Sequence, residues 1–437
     1  MRIAGFNIVT VARRASWGLA DQVLSSLTNF AVGVVIARSV NPHEFGAFGL
    51  AFATYLVLLG ASRAITSEPL LVRFSSVSQE TWRVGTRSST GATMAVGIVT
   101  GVVSIAFGIA LRGTLGSALV ALGITLPGLL LQDGWRQTFF ANGRGSQAFL
   151  NDLLWGVALV PMLIVAATQP NNQVFWFMFA WGASATCAAI AGLFQAKLFP
   201  KISDTRSWLT DQRDLVPRFL SEFIVRAGGA QLVFFGLGAV SGLSSVGSIR
   251  AAQIILGPFH VVFQGIWLVA IPEQVRILKQ APMKLRRASL TFSGFLAVTA
   301  ALYGLALLFL PDALGRALVG ANWIGAQKVL FPLALSFAGL GGVMGAASGL
   351  RALAAARRSL RARIASSVLM ICGGMIGAIL ADAVGAAIGL MVANSLAALI
   401  WWSQFNAAFN EYFVDTSDVR PLVPPLVPPA RDSEQIS

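Results

Sequence analysis

Four polar side chains recur on one face of a stretch that is otherwise apolar enough to cross a bilayer: Arg250, Gln253, His260 and Gln264, at offsets of 0, 3, 10 and 14 residues. At about 100° per helical residue, all four fall within a stripe about 80° wide. A charge at the centre of a spanning helix costs about 2.5–3.5 kcal/mol on insertion scales, so the stripe calls for a hydrated space between helices rather than contact with lipid. In such a space a guanidinium offers paired N–H donors to a phosphate or carboxylate. Gln253 and Gln264 would add hydrogen-bonding groups, and His260 a group able to carry a proton.

Three further segments carry the same signature. Asp21, Ser25, Thr28 and Asn29 stand at offsets 0, 4, 7 and 8, a stripe about 100° wide. Glu222 and Arg226 are four residues apart, where opposite charges pair along a helix. Arg63 precedes Glu68 by five residues. Asp21, Glu68 and Glu222 fall near the cytoplasmic mouth of their segments, with Arg63 and Arg226 about 6–8 Å deeper. Two roles fit these groups. They could be ion pairs that fix helix register. They could instead form an anion site in which Arg63, Arg226 and Arg250 bind a phosphate, Asp21, Glu68, Glu222, Asn29, Gln253 and Gln264 complete the lining, and Asp21, Glu222 and His260 couple an ion. Asp133, Arg136, Asn142, Arg144 and Asp152 are expected in a solvated connection between two spans.

The elements that must hold these residues follow from composition. Hydrophobic residues make up 56% of the 437 and charged residues only 11%, against about 25% charged in a soluble domain; the mean hydropathy is +0.72. The expected fold is an all-α polytopic membrane protein. Twelve apolar segments have the ~20 residues that a ~30 Å hydrocarbon core requires. They begin near Trp17, Phe45, Thr90, Leu115, Ala148, Gln173, Phe219, Val246, Ala288, Gln327, Ile364 and Ala383. With both termini cytoplasmic, the cytoplasmic segments hold 25 of the 32 Lys and Arg residues, as the positive-inside rule demands. The net charge of +14 is therefore spread over short segments. That pattern suits anionic lipid headgroups and not nucleic acid, which would need a compact basic face.

A faint repeat divides the chain. Asp21 and Glu222 are 201 residues apart, as are Gly46 and Gly247, while Pro69 with Pro272 and Arg73 with Arg276 match at 203. The expected division is a six-helix bundle over 1–198, a basic cytoplasmic linker over 199–218, a second six-helix bundle over 219–410 and a Pro-rich disordered tail over 411–437. An even number of spans per half gives parallel repeats about an axis along the membrane normal. The first, second, seventh and eighth spans would then line a central cavity. Glycines four residues apart, among them Gly97 with Gly101, Gly373 with Gly377 and Gly385 with Gly389, suit close helix packing in lipid. Cys187 and Cys372 lie in apolar spans and imply no disulfide.

Other chemistries lack their residues. There is no Gly-rich phosphate loop ending in Lys-Ser or Lys-Thr, no Gly-x-Ser-x-Gly elbow, and no zinc-like spacing among two histidines and two cysteines. Neither a cofactor nor a metal is expected, and the chain reads as a transporter rather than an enzyme.

The segment from Asp21 to Phe30 (DQVLSSLTNF), then Ala37-Arg38, Glu44-Phe45-Gly46 and Ser67-Glu68-Pro69-Leu70, resembles polysaccharide flippases of the multidrug/oligosaccharidyl-lipid/polysaccharide (MOP) exporter superfamily, of the O-antigen and teichoic-acid exporter type. The likeness extends over about residues 10–410, with specific motifs confined to the first two spans. It implies alternating access, often ion-coupled, that carries an undecaprenyl-phosphate-type lipid-linked oligosaccharide from the cytoplasmic to the outer leaflet of a bacterial plasma membrane, with glycan-assembly proteins as partners. In related lipid II flippases cavity arginines engage the diphosphate, and Arg63 followed by Glu68 is similar to that pattern. The rival functions are a cation-coupled multidrug exporter of the same superfamily, whose site would be Asp21 and Glu222, a membrane glycosyltransferase, and a non-transporting cell-envelope scaffold.

Overall fold

The computed structural model describes the backbone of residues 2–3 and 6–418 and the side chains of residues 16–413, apart from those of 226–227, 261–262, 264 and 267–269. Six long helices precede the linker: α1 (Ile8–Ser39), α2 (Pro42–Ile65), α4 (Gln79–Leu111), α5 (Gly113–Ala141), α6 (Gly145–Ala167) and α7 (Gln173–Ala196), with the short α3 (Ser67–Phe74) continuing α2 after a break. Beyond the linker helix α8 (Thr205–Asp211) come α9 (Val216–Ser241), α10 (Leu243–Gln280), α11 (Leu285–Leu308), the short α12 (Asp312–Val319), α13 (Trp323–Ala352) and α14 (Ala356–Asp418). Non-helical dihedrals at Ala381 and Asp382 split α14 into two segments, 356–380 and 383–418. The long segments therefore number six before the linker and six after it among the described residues, as hydropathy anticipated. Nine helical stretches there have the length and hydropathy of a membrane span, counting 356–413 as one, and α9 would add a tenth.

Local chemistry sets the ends. Asn41 begins α2 with a reciprocal cap, its Oδ1 accepting from the Glu44 N–H at 3.0 Å while Glu44 Oε2 accepts from the Asn41 N–H at 3.1 Å, and Pro42 supplies a preset φ at the first position. Ser78 caps α4 through the Thr81 N–H. The glycine spacing does what it predicts: Gly97 and Gly101 let α4 lie against Pro127 and Gly123 of α5, and Gly373 meets Gly389 across the two segments of α14. Cys187 and Cys372 are both exposed on their helices.

Three stretches outside the predicted spans have structure of their own. The linker is folded onto the first half. A 3-10 turn at Ile202–Asp204 and α8 pack against α4, and Trp208 is buried, stacking on Phe74 at 5.9 Å and donating Nε1–H to the Ile65 carbonyl at 3.0 Å. The connection from Pro311 to Gln327 contains α12 and a further 3-10 turn at Gly320–Asn322. Helix α14 runs past 411 to Asp418; the tail from 419 lies outside the described residues.

Candidate functional site

A cavity of about 330 Å³ lies where α2 of the first half meets α9, α10 and α13 of the second. One face of α2 supplies Gly49, Phe52, Ala53 and Leu56, at helical offsets 0, 3, 4 and 7. Helix α10 supplies Arg250, Gln253, Gly257 and His260, so three of the four polar residues that define its stripe share one space. Gln264, the fourth, and Arg226 have side chains outside the described residues. Helix α9 contributes Ala230, Gln231 and Phe234, and α13 contributes Phe337.

Arg250 is the one cation among the described residues that line this cavity. Its guanidinium stacks on the Phe52 ring, 4.6 Å from the centroid, and Nη1 donates to Gln253 Oε1 at 3.3 Å. The aromatic face steadies the positive charge without consuming the in-plane N–H donors. None of the residues lining the cavity is acidic, and among the described residues no carboxylate lies within salt-bridge distance of Arg250. His260 is exposed, its ring 5.8 Å from Phe337. An adjoining, mainly apolar pocket of about 260 Å³ shares Ala230, Phe234, Gln253 and Phe337 with the cavity, and ends near Ser336, which accepts from Asn394 Nδ2 at 2.7 Å.

Arg63 belongs elsewhere. It grips Asp133 of α5 with both ends of its fork, Nε to Oδ2 at 2.8 Å and Nη2 to Oδ1 at 2.5 Å. Eleven residues separate it from Phe52 on α2, about 16 Å along the axis. The expectation that Arg63 and Arg250 clamp one anion together is therefore not met. Asp21 is likewise removed from the cavity: it is fully buried and accepts from Arg136 Nε at 2.9 Å and Nη2 at 2.5 Å. Arg136 also meets Asp152 at 3.2 Å, and Gln132 ties Asp152 to Asn151 with bonds of 2.8 and 3.2 Å. Asn151 in turn donates to the Ala188 carbonyl and to Gln195 Oε1, both at 2.8 Å.

This buried network spans α1, α5, α6 and α7, and corrects the sequence placement of Asp133, Arg136 and Asp152 in a solvated connection. Helix α5 runs on to Ala141, so Asp133 and Arg136 are a turn or more inside it, and Asp152 is two turns into α6. The missed signal is the absence of any Gly, Pro or Asn stop between Gln132 and the Asn142-Gly143 turn, apart from Gly134. With two acids around one guanidinium, and the Asp21 Oδ1 atom lacking a hydrogen-bond partner, the Asp21–Arg136–Asp152 group carries one formal negative charge in excess. Glu68 is half-buried in the first turn of α3, and Glu222 and Asn29 are exposed; none of the three lines the cavity.

No protein-family model matches the sequence, and no curated protein matches it. Among solved structures, the chain is similar to a lipid II flippase MurJ in an inward closed conformation, with TM-score 0.68, 11% identity and coverage of 93% of this chain and 94% of that one. It is similar to an inward-facing multidrug resistance MATE family transporter of the MOP superfamily, with TM-score 0.61, 15% identity and coverage of 90% and 96%. A MOP superfamily transporter from Pyrococcus furiosus, described as having a binding pocket of reversed polarity, matches with TM-score 0.52, 12% identity and coverage of 92% and 95%. The chain thus has the all-helical, multi-pass fold of MOP-superfamily transporters.

Proposed function

We propose that this protein is a secondary transporter of the flippase kind, carrying an anionic lipid-linked oligosaccharide of the polyprenyl diphosphate type from the cytoplasmic to the outer leaflet of a bacterial plasma membrane. The observation that carries this proposal is a guanidinium, Arg250, held on an aromatic face in an acid-free cavity between the two halves. A cation without a counter-charge in a low-dielectric space favours an anionic guest, and a diphosphate matches its fork bidentately. Gln231, Gln253 and His260 supply neutral donors and acceptors for the sugar hydroxyls around that anchor. The two six-helix halves would rock about the cavity, as parallel-repeat carriers do. The lipid tail would remain in the bilayer, and glycan-assembly proteins would deliver the cargo.

Ion coupling fits the first half better than the cavity. The excess negative charge of the Asp21–Arg136–Asp152 group would be neutralised by a proton or a monovalent cation, and Asp21, whose Oδ1 has no partner, is the natural acceptor. A multidrug exporter of organic cations would need carboxylates around its cargo, and the cavity lining has none.

The test is translocation of a fluorescent polyprenyl diphosphate glycan in proteoliposomes by the Arg250→Gln variant. Charge-assisted hydrogen bonds contribute about 1.5–3 kcal/mol, so cargo affinity should fall about 10- to 100-fold. Arg250→Lys, which keeps the charge and loses the fork, should fall in between. Unchanged translocation by Arg250→Gln at normal protein levels would sink the anion-binding mechanism.

A further inference from the structure

The linker between the halves presents an outward surface that the carrier mechanism does not use. Its inner side is fixed to the first half by Trp208 on Phe74 and the Ile65 carbonyl, by the Lys201 N–H bonded to the Arg87 carbonyl at 3.0 Å, and by Arg73, which holds Asp214 at 2.7 Å and also reaches the Asp211 carbonyl. Its outer side is a shallow depression of about 650 Å³ whose walls include Ile202, Thr205, Arg206, Leu209 and Arg213.

The charges there do not cancel. The linker has three acids, and each is engaged away from the depression. Asp204 takes Lys201 at 2.8 Å and Ser88 at 3.1 Å, contacts that hold its carboxyl below the usual range, chiefly through Lys201. Asp211 accepts from Ser207 at 3.3 Å, and Asp214 pairs with Arg73. Arg206 and Arg213 are exposed and, among the described residues, have no carboxylate within salt-bridge distance. Beside them Ile202 and Leu209 expose 43% and 42% of their surface, far more than apolar side chains bathed in water would favour.

The level of this surface follows from its neighbour α4. The Lys201 backbone packs so tightly on Gly91 that a Cβ there would collide with it. Gly91 stands at the transition in α4 between a stretch carrying Arg83 and Arg87 and the uncharged run from Ala92 to Leu111. A helix crossing a bilayer changes composition in this way at the headgroup layer, so the linker lies where phosphates and the first methylenes of lipid meet. Apolar side chains flanked by two unneutralised guanidinium groups match both parts of an anionic phospholipid.

We propose that the 202–213 face of the linker is a binding site for an anionic phospholipid headgroup, Arg206 and Arg213 holding the phosphate and Ile202 and Leu209 seated among the upper methylenes. Lipid bound there would hold the strap between the halves against the first of them.

The experiment is native mass spectrometry of the full chain released from nanodiscs of phosphatidylcholine mixed with phosphatidylglycerol. The wild type should retain phosphatidylglycerol in preference to phosphatidylcholine, and Arg206→Gln/Arg213→Gln should reduce that preference about 25-fold, since each basic residue at an anionic surface contributes a factor of about five. Arg357→Gln, at an exposed basic site on another cytoplasmic segment, should lower it by no more than the factor of about five that one surface charge contributes, and excess inorganic phosphate should not displace the lipid. The proposal falls if the double variant keeps its preference, if Arg357→Gln lowers it equally, or if free phosphate competes as well as the lipid does.

Discussion

The Arg63–Asp133 and Arg136–Asp21 pairs of the first half differ in what loss of the acid should do. Asp133 exposes only 7% of its side chain and Arg63 34%, so Asp133→Ala leaves a half-buried guanidinium without a counter-charge. Breaking a fully buried pair costs about 3–5 kcal/mol; with Arg63 partly solvated, about 2–3 kcal/mol is expected, seen as a lower unfolding midpoint in detergent. Replacing both partners by apolar residues of similar size, Arg63→Met with Asp133→Leu, should restore most of that stability. A singly substituted Asp133→Ala protein as stable as the wild type would show that the pair is ornamental. Asp21→Asn should act differently: it keeps the volume, removes the excess charge and leaves Arg136 paired with Asp152. Expected is a folded protein whose transport no longer responds to an imposed proton or sodium gradient, and retained gradient dependence would exclude Asp21 as the coupling group. At this scale the sequence was half legible. The stripe of Arg250, Gln253 and His260 could be found because period and polarity coincide on one helix. The partners of Arg63 and Asp21 could not, because Asp133 and Arg136 are 70 and 115 residues distant and no helical period links them.

Among elements, the long helices were legible because burial in lipid demands uninterrupted apolar runs, and even the split of α14 falls beside the expected start of a span at Ala383. The strain at that split is measurable. Asp382 has φ 48° and ψ −134°, a conformation that glycine adopts readily and other residues reach only at about 1–3 kcal/mol. Asp382→Gly should therefore raise the unfolding midpoint, with a stabilisation of about 1 kcal/mol after the added freedom of the unfolded chain is set against the relieved strain. A midpoint below the wild type would mean that Asp382 is held there by interactions worth more than its strain. The linker was not legible. Its basic residues marked it only as a cytoplasmic connection, whereas Trp208 closes the break between α2 and α3 by capping the Ile65 carbonyl, which a sequence pattern cannot announce because the carbonyl lies 143 residues away. Trp208→Phe keeps the stacking on Phe74 and loses that bond, about 1 kcal/mol by the usual net contribution. Faster hydrogen exchange at the α2–α3 junction than elsewhere in α2 would register the loss.

For the molecule as a whole, the cavity is bracketed along α2 by two contacts of unequal stiffness. At the end the basic-residue bias assigns to the outside, Gly46 and Gly247 bring α2 and α10 together backbone to backbone: a Cβ on Gly46 would stand 3.1 Å from the Gly247 nitrogen, and closer still to the Leu243 carbonyl. Asn322 clamps the same end, donating Nδ2–H to the carbonyls of Ala37 at 2.7 Å and Val40 at 3.2 Å. These glycines are one of the pairs that suggested the internal repeat, and they meet where two equivalent helices cross. At the other end the atoms nearest to a Cβ on Gly60 would be those of the Phe223 ring, which can rotate aside. Backbone cannot yield in that way, so the outer contact must separate as a unit, whereas the inner one can open by a side-chain movement. Gly46→Ala should therefore disfavour outer closure, overpacking costing about 1–3 kcal/mol, equivalent to a shift of about five- to hundredfold in the population open on that side. The readout is a Gln253→Cys probe in a background with the exposed Cys187 and Cys372 changed to Ser, labelled by a membrane-impermeant thiol reagent applied from outside. Labelling should accelerate with Gly46→Ala and hardly change with Gly60→Ala, whose added methyl the Phe223 ring can accommodate. Equal rates for both variants, or acceleration only when the reagent is applied from the cytoplasmic side, would mean that the glycine crossing is not the outer closure of the proposed carrier.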